Sequence, residues 1–206
     1  HEMLALCEKL GFPTENMDDR VGWCEYGEGE EMVAVLGHLD VVPAGDGWTE
    51  SEPFSGEIKN GRIYGRGTMD DKGPMVAAVY ALAALKQSGF QPSRRIRVIF
   101  GTNEETGCGD MAWYASHGGE MPVMGFTPDG EYPLINGEKG ILNGTYTRTL
   151  HQTGDYILTR LEGGEASNIS PAYAVAEVKC PAEAASKIAA EKVTVTPIDG
   201  GIRVEA

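Results

Sequence analysis

The sequence predicts an α/β fold, in which helices pack on a largely parallel or mixed sheet, followed by the beginning of a smaller α+β domain. Three observations predict it. Apolar strand-like runs alternate with helix-like runs over the first 126 or so residues, in the order β-β-α-β-α-β. Two of the strands, the apolar Met32–Leu36 and Arg95–Phe100, read as buried members of the sheet. The character then changes after about Gly140, where short strand patterns separated by polar turns replace the alternation.

The elements follow in order. Glu2 to Leu10 reads as a short helix closed by Gly11, and strands follow near Arg20–Tyr26 and Met32–Leu36. The clearest helix runs from Pro74 to about Ser88. Proline suits the first helical turn, "MVAAVYALAALKQ" is rich in good helix formers, and Gly89 ends it. Arg95–Phe100 is a buried strand ending at Gly101, "GDMAWYASHGG" is a helix stopped by glycines, and Val123–Phe126 is a further strand. Beyond Gly140 come strands at Gly144–Leu150, Asp155–Leu161 and Ala172–Lys179. A helix opened by Pro181 ("AEAASKIAAEK") and a closing hairpin ("VTVTPIDGGIRVEA") complete the pattern.

Composition removes whole classes of function. A net charge of −14 excludes nucleic acid as a partner, because phosphate binding needs clustered Lys and Arg. No run of about 18 apolar residues occurs, which excludes a membrane-spanning helix. The opening "HEMLALCEKL" is not a signal peptide, and His1 in place of Met points to a start further upstream. Cys7, Cys24, Cys108 and Cys180 form no C-x-x-C pair, so they read as reduced thiols of a cytoplasmic protein. In that compartment the sequons at Asn143 and Asn168 are accidental.

The informative polar residues stand at strand ends, where open α/β sheets place their ligands. "GHLD" puts His38 and Asp40 two apart, on one face of an extended chain. "YGRGTMDDKGP" puts Asp70 and Asp71 before a helix, "FGTNEETGCG" puts Glu104 and Glu105 after a strand, and "GFTPDGEYP" does the same for Asp129. Each has an ordinary reading: a hydrogen-bonded histidine, a helix N-cap, solvated glutamates, a turn. Those readings leave unexplained why all four sites fall at strand ends. Carboxylates crowded on one rim raise one another's pKa unless a cation neutralises them, and the sequence there is poor in Lys and Arg. A divalent metal pair is the economical solution, since imidazole with carboxylates suits zinc or manganese. Adjacent glutamates can then divide labour, one holding metal and the other moving protons.

At these residues the chain resembles a known family. "GHLDVVPAGDGW", "YGRGTMDDKGP", "GTNEETG" and "FTPDGEYPLINGEKG" are similar, in order and spacing, to the cocatalytic metallopeptidases. That family includes succinyl-diaminopimelate desuccinylase, acetylornithine deacetylase, aminoacylase and carboxypeptidase G. The likeness is strongest to its PepV-like, or Xaa-His, dipeptidase branch, on the stretch "GDGWTESEPFSGEIKNGRIYGRG", and it covers roughly residues 1 to 180. It implies a zinc-exopeptidase-like mixed sheet over residues 1–139, carrying the catalytic site, and the start of a lid domain over 140–206. It further implies that His38 and Asp129 hold one metal, Asp70 bridges to a second held by Glu105, and Asp40 orients His38. Glu104 would be the general base, and the cofactor would be two Zn2+, or Mn2+. The implied substrate is a dipeptide or small peptide with a free N-terminus.

The resemblance also implies what the chain lacks. Relatives are about twice as long and supply two further histidines, one to the metals and one from the lid, so the chain is expected to be an N-terminal fragment that is inactive without the rest of its own chain. His117 and His151 match no motif and read as surface residues. Two other readings stay open. One is an N-acyl amino acid deacylase or desuccinylase of the same family, separable by side-by-side assays. The other is a non-enzymatic metal-binding or interaction module, which a gene ending at Ala206 would favour.

Overall fold

In the computed structural model, which describes residues 1–164, 170–181, 183–184 and 191–206, the chain divides into two compact units, His1–Asn136 and Gly137–Ala206. In the first, helix α1 (Glu2–Lys9) leads into a hairpin of β1 (Thr14–Met17) and β2 (Val21–Tyr26), and then into β3 (Met32–His38). A small separate hairpin, β4 (Glu57–Lys59) with β5 (Arg62–Tyr64), precedes α2 (Lys72–Gln87). Strand β6 (Arg95–Gly101), a 3₁₀ turn at Glu104–Thr106, α3 (Gly109–Ser116) and β7 (Met124–Phe126) follow.

The sheet is mixed, in the order β1-β2-β6-β3-β7. Strand β2 runs antiparallel to β1 and β6, whereas β3 runs parallel to both β6 and β7. The central strands β3 and β6 bury side chains on both faces. On one face Cys24, Val35, Val98 and Phe100 pack with Cys7 of α1 and Met75, Val79, Leu82 and Ala83 of α2. On the other, Val21, Met32, Ala34 and Ile99 pack with Tyr114 of α3. Phe100 and Val98 are each 1% exposed. Burying a side chain of this size stabilises by about 1.5–3 kcal/mol.

Arg97, on β6, is the one buried arginine or lysine among the described residues. Its Nε and Nη2 donate to Glu25 and Glu120 at 2.8 and 2.9 Å, and its Nη1 donates to the Tyr114 hydroxyl at 3.0 Å. The guanidinium also lies 4.8 Å from the centre of the Trp23 ring.

In the second unit, β8 (Ile157–Gly163), β9 (Ala174–Lys179), β10 (Thr194–Ile198) and β11 (Gly201–Glu205) form an antiparallel sheet in the order β10-β11-β9-β8. The predicted strand over Gly144–Leu150 is not formed. Its alternation of Thr with Tyr and Leu looks strand-like, yet Tyr146 is 98% exposed and no described strand pairs with the segment, so its backbone gains no ladder bonds. The helix expected after Pro181 lies almost wholly outside the described residues. Three strands were missed. Strand β1 is short and polar, while the β4–β5 hairpin carries an Asn60-Gly61 turn with both residues at positive φ, a pattern that signals such hairpins. Among the described residues no helix is long and apolar enough to cross a membrane.

Candidate metal centre

The parallel register sets the site. His38 at the end of β3 pairs with Gly101 at the end of β6, and the Leu39 N–H extends the ladder to the Gly101 carbonyl at 2.9 Å. The chain after β6 turns at once into Glu104–Thr106, and the chain after β7 reaches Asp129 three residues past its end. Parallel strands thus deliver their loops to one rim, and Asp70 and Asp71 join it from the N-terminus of α2.

The His38 imidazole is the centre of that rim, with its side chain only 2% exposed. Nδ1 donates to the Asp40 carbonyl at 3.1 Å, and an Asp40 carboxylate oxygen lies 3.3 Å away. Nε2 is therefore the ring nitrogen that faces the acids. It stands 2.9 Å from Asp70 Oδ1, 3.4 Å from Asp129 Oδ2 and 3.9 Å from Glu104 Oε2. Asp40 also lies just past the strand, and its two carboxylate oxygens accept the N–H groups of Glu104 and Glu105 at 3.2 and 3.1 Å. One aspartate thereby fixes both the histidine and the turn that carries the two glutamates. Glu105 accepts the Val42 N–H at 3.3 Å.

The electrostatics are those of an anionic site. Burial works against a charged imidazole, but the carboxylates of Asp129 and Asp40 outweigh it and hold His38 above its ordinary range. Burial raises Glu104 above the usual carboxylate range, offset in part by His38 and reinforced by Asp129 and Glu105. Burial pushes Asp71 up to about 6.

Two carboxylates beneath the rim, Asp71 and Asp110, have roles the sequence did not assign. Asp71 holds the N-cap position of α2, as a bland reading of the sequence would have it, but its side chain makes no cap bond. Its Oδ2 instead accepts the His38 N–H at 3.1 Å. The buried Asp110 of α3 does the same for β6, its Oδ2 accepting the N–H groups of Thr102 and Asn103 at 2.5 and 3.0 Å. Each carboxylate sits against a strand-end glycine. A Cβ on Gly37 would meet Asp71 Oδ2 at 2.1 Å, and one on Gly101 would meet Asp110 Oδ2 at 2.7 Å. Glycine so close to "GHLD" and "GTNEE" was the available signal.

Whether these donors suit a metal can be tested on their own geometry. Ligand atoms of His38, Glu104 and Asp129 lie within 4.8 Å of one another, and so do those of His38, Asp70 and Glu105. All five residues expected to hold metal or move protons thus converge, with Glu104 as near to His38 and Asp129 as a ligand would be. One imidazole with hard carboxylate oxygens is a donor set for zinc or manganese. The residues fit a divalent ion. His117 and His151 are exposed and take no part.

Comparison with known proteins agrees with the geometry. The family model described as peptidase family M20/M25/M40 matches residues 34–203. A beta-Ala-Xaa dipeptidase of Lactobacillus delbrueckii subsp. lactis is 42% identical over 192 residues, 92% of this chain and 40% of that protein. YtjP of Bacillus subtilis (strain 168) is 46% identical over 182 residues, 87% of this chain and 39% of that one. The chain spans about two fifths of the length of these relatives. Among solved structures, human carnosine dipeptidase 1 superposes with a TM-score of 0.53 at 25% identity, covering 64% of this chain and 33% of its own. The M20 family metallo-carboxypeptidase Sso-CP2 of Sulfolobus solfataricus gives 0.53 at 23% identity over 63% and 31% of the two chains, and supports the α/β fold alone. The chain belongs to peptidase family M20/M25/M40.

Proposed function

We propose that the full-length protein is a metal-dependent dipeptidase of the PepV-like branch, whose substrates are dipeptides with a free N-terminus. The observation that carries the reading is the convergence of Asp70, Asp129 and Glu104 on one buried nitrogen, His38 Nε2, with Glu105 in the same cluster. Substrate class rests on the relatives, two of which are named as dipeptidases for beta-Ala-Xaa and carnosine. We assign the catalytic role to residues 1–139 and the beginning of a lid to 140–206.

His38 and Asp129 would hold one ion, Asp70 would be shared, and Glu105 would hold a second, with zinc or manganese as the metal. Such a pair supplies Lewis acidity toward the scissile carbonyl and makes water a nucleophile at neutral pH. The protein's own groups do the remainder. Asp40 keeps the imidazole in one tautomer and holds the turn bearing the glutamates. Glu104 accepts a proton from the attacking water and returns it to the leaving amine, a task suited to a carboxyl held above its ordinary pKa. The peptide C–N bond breaks, water adds its hydroxyl to the carbonyl carbon, and the amine leaves neutral.

The test is hydrolysis of a dipeptide panel, beta-alanyl peptides included, beside N-acyl amino acids, before and after chelation and re-addition of Zn2+ or Mn2+. Dipeptide turnover lost on chelation and restored by metal is expected. Turnover confined to N-acyl substrates would move the assignment to the deacylase branch, and turnover indifferent to chelation would overturn it.

A further inference from the structure

Asp71 is an expensive residue to keep where it is. It is 0% exposed, one of four buried polar side chains among the described residues, and burying a carboxyl without full hydrogen bonding costs about 1–3 kcal/mol or more. Its Oδ1 is buried with no hydrogen-bond partner among the described residues. Asp110, the matching carboxylate beneath β6, differs in this respect. Its Oδ1 accepts the Met111 N–H at 2.7 Å while its Oδ2 takes two more, so it is satisfied as a structural group. Nor does Asp71 earn its place by capping α2, since it makes no side-chain cap bond.

What Asp71 does is hold one backbone atom. Its Oδ2 takes the His38 N–H at 3.1 Å, directly behind the imidazole whose Nε2 faces the acids. The site is shaped around that contact. Gly37, the residue before His38, leaves room only because it has no side chain, as a Cβ there would stand 2.1 Å from Asp71 Oδ2 and 2.2 Å from Met75 Sδ. The contact satisfies one strand-end N–H, but at the cost of a half-satisfied buried carboxyl and an obligatory glycine, an arrangement that stability alone does not require.

We infer that Asp71 is a positioning residue for the metal centre: by accepting the His38 N–H it fixes the end of β3, and with it the direction in which the imidazole presents Nε2 to a divalent ion. The inference rests on the metal-centre reading. It concerns the acceptor on Asp71 rather than its charge, so an acceptor of the same shape should serve and an apolar side chain should not.

The experiment is titration of the metal-free purified protein with Co2+, read by its visible absorption band, with thermal melting of each metal-free variant alongside. Asp71→Ala is expected to weaken Co2+ binding by about tenfold or more and to change the band, as loss of groups supporting a ligand does. Its metal-free melt should remain cooperative. Asp71→Asn, whose amide oxygen can accept the same N–H, is expected to bind within about threefold of the wild type with the same band. Should Asp71→Ala fail to melt cooperatively, Asp71→Leu fills the space without an acceptor and gives the same reading. Wild-type affinity and band in the Ala or Leu variant would overturn the inference, as would equal losses in Asn and Ala. A wild-type protein that takes up no Co2+ would overturn the metal-centre reading and the inference with it, whereas one that binds Co2+ separates the two.

Discussion

His38 Nε2 and Asp70 Oδ1 lie 2.9 Å apart, although 32 residues separate them and Asp70 belongs to no strand of the sheet. Once His38 is neutral, and with no metal ion bound, this arrangement is electrostatically adverse, because Asp129 and Glu104 crowd the same rim as Asp70. Asp70→Asn should therefore stabilise the metal-free protein and weaken the metal-bound one. The expected outcome is a higher melting temperature in chelator, with metal affinity lower by more than about a hundredfold. Calorimetric melting with and without added Zn2+ reads both signs in one experiment.

Glu104 is the group assigned to move the proton, so Glu104→Gln should leave metal stoichiometry intact. Turnover of a dipeptide by the full-length protein should fall by roughly a hundredfold or more, with KM little changed. Steady-state kinetics paired with elemental analysis of the same sample checks both halves.

The metal-free protein should lose stability as pH rises from about 4 to 8. Asp71, pushed up to about 6, binds its proton more tightly folded than unfolded, so its contribution declines as pH climbs from about 4 through 6, by about 2 kcal/mol. His38, raised above its unfolded value, contributes stability that is full below that value and is lost as pH passes the folded one, with the same sign. Urea unfolding in chelator at pH 5 and pH 7.5 should show greater stability at pH 5. Asp71→Asn should flatten the acidic part of the profile.

Far from the metal rim, Arg97 offers a test of the fold alone. Its buried guanidinium donates to Glu25, Glu120 and Tyr114, so Arg97→Ala removes one of the two arginines that pair with each glutamate, Arg95 being the other, and opens a gap against Trp23. A loss of about 1–3 kcal/mol in urea unfolding is expected, with metal affinity of the folded protein unchanged.

Much of this was legible in the sequence, for definite reasons. The alternation of strand-like and helix-like runs through Val35, Val79 and Val98 identified the α/β core, and helices do pack on the strands. The acids at strand ends could be gathered onto one rim because parallel strands finish on the same side. What the sequence hid depended on direction rather than identity. Nothing in "MDDKG" says that Asp71 turns from the α2 N-terminus toward His38 while Asp70 faces Nε2, and this choice depends on a strand more than 30 residues away. The segment around Tyr146 failed in the opposite way, since its alternation is genuine but a ladder partner is a property of the fold. The Asn60-Gly61 hairpin was readable and was passed over, because the strands beside it are only three residues long.

The most direct test of the account is the metal content of the purified protein after reconstitution with Zn2+ and exhaustive dialysis against metal-free buffer, compared between wild type and His38→Ala. The account predicts metal held by the wild type and lost from His38→Ala while the variant keeps its cooperative melt. A wild type that emerges free of metal, or a folded His38→Ala that holds as much as the wild type, would contradict it.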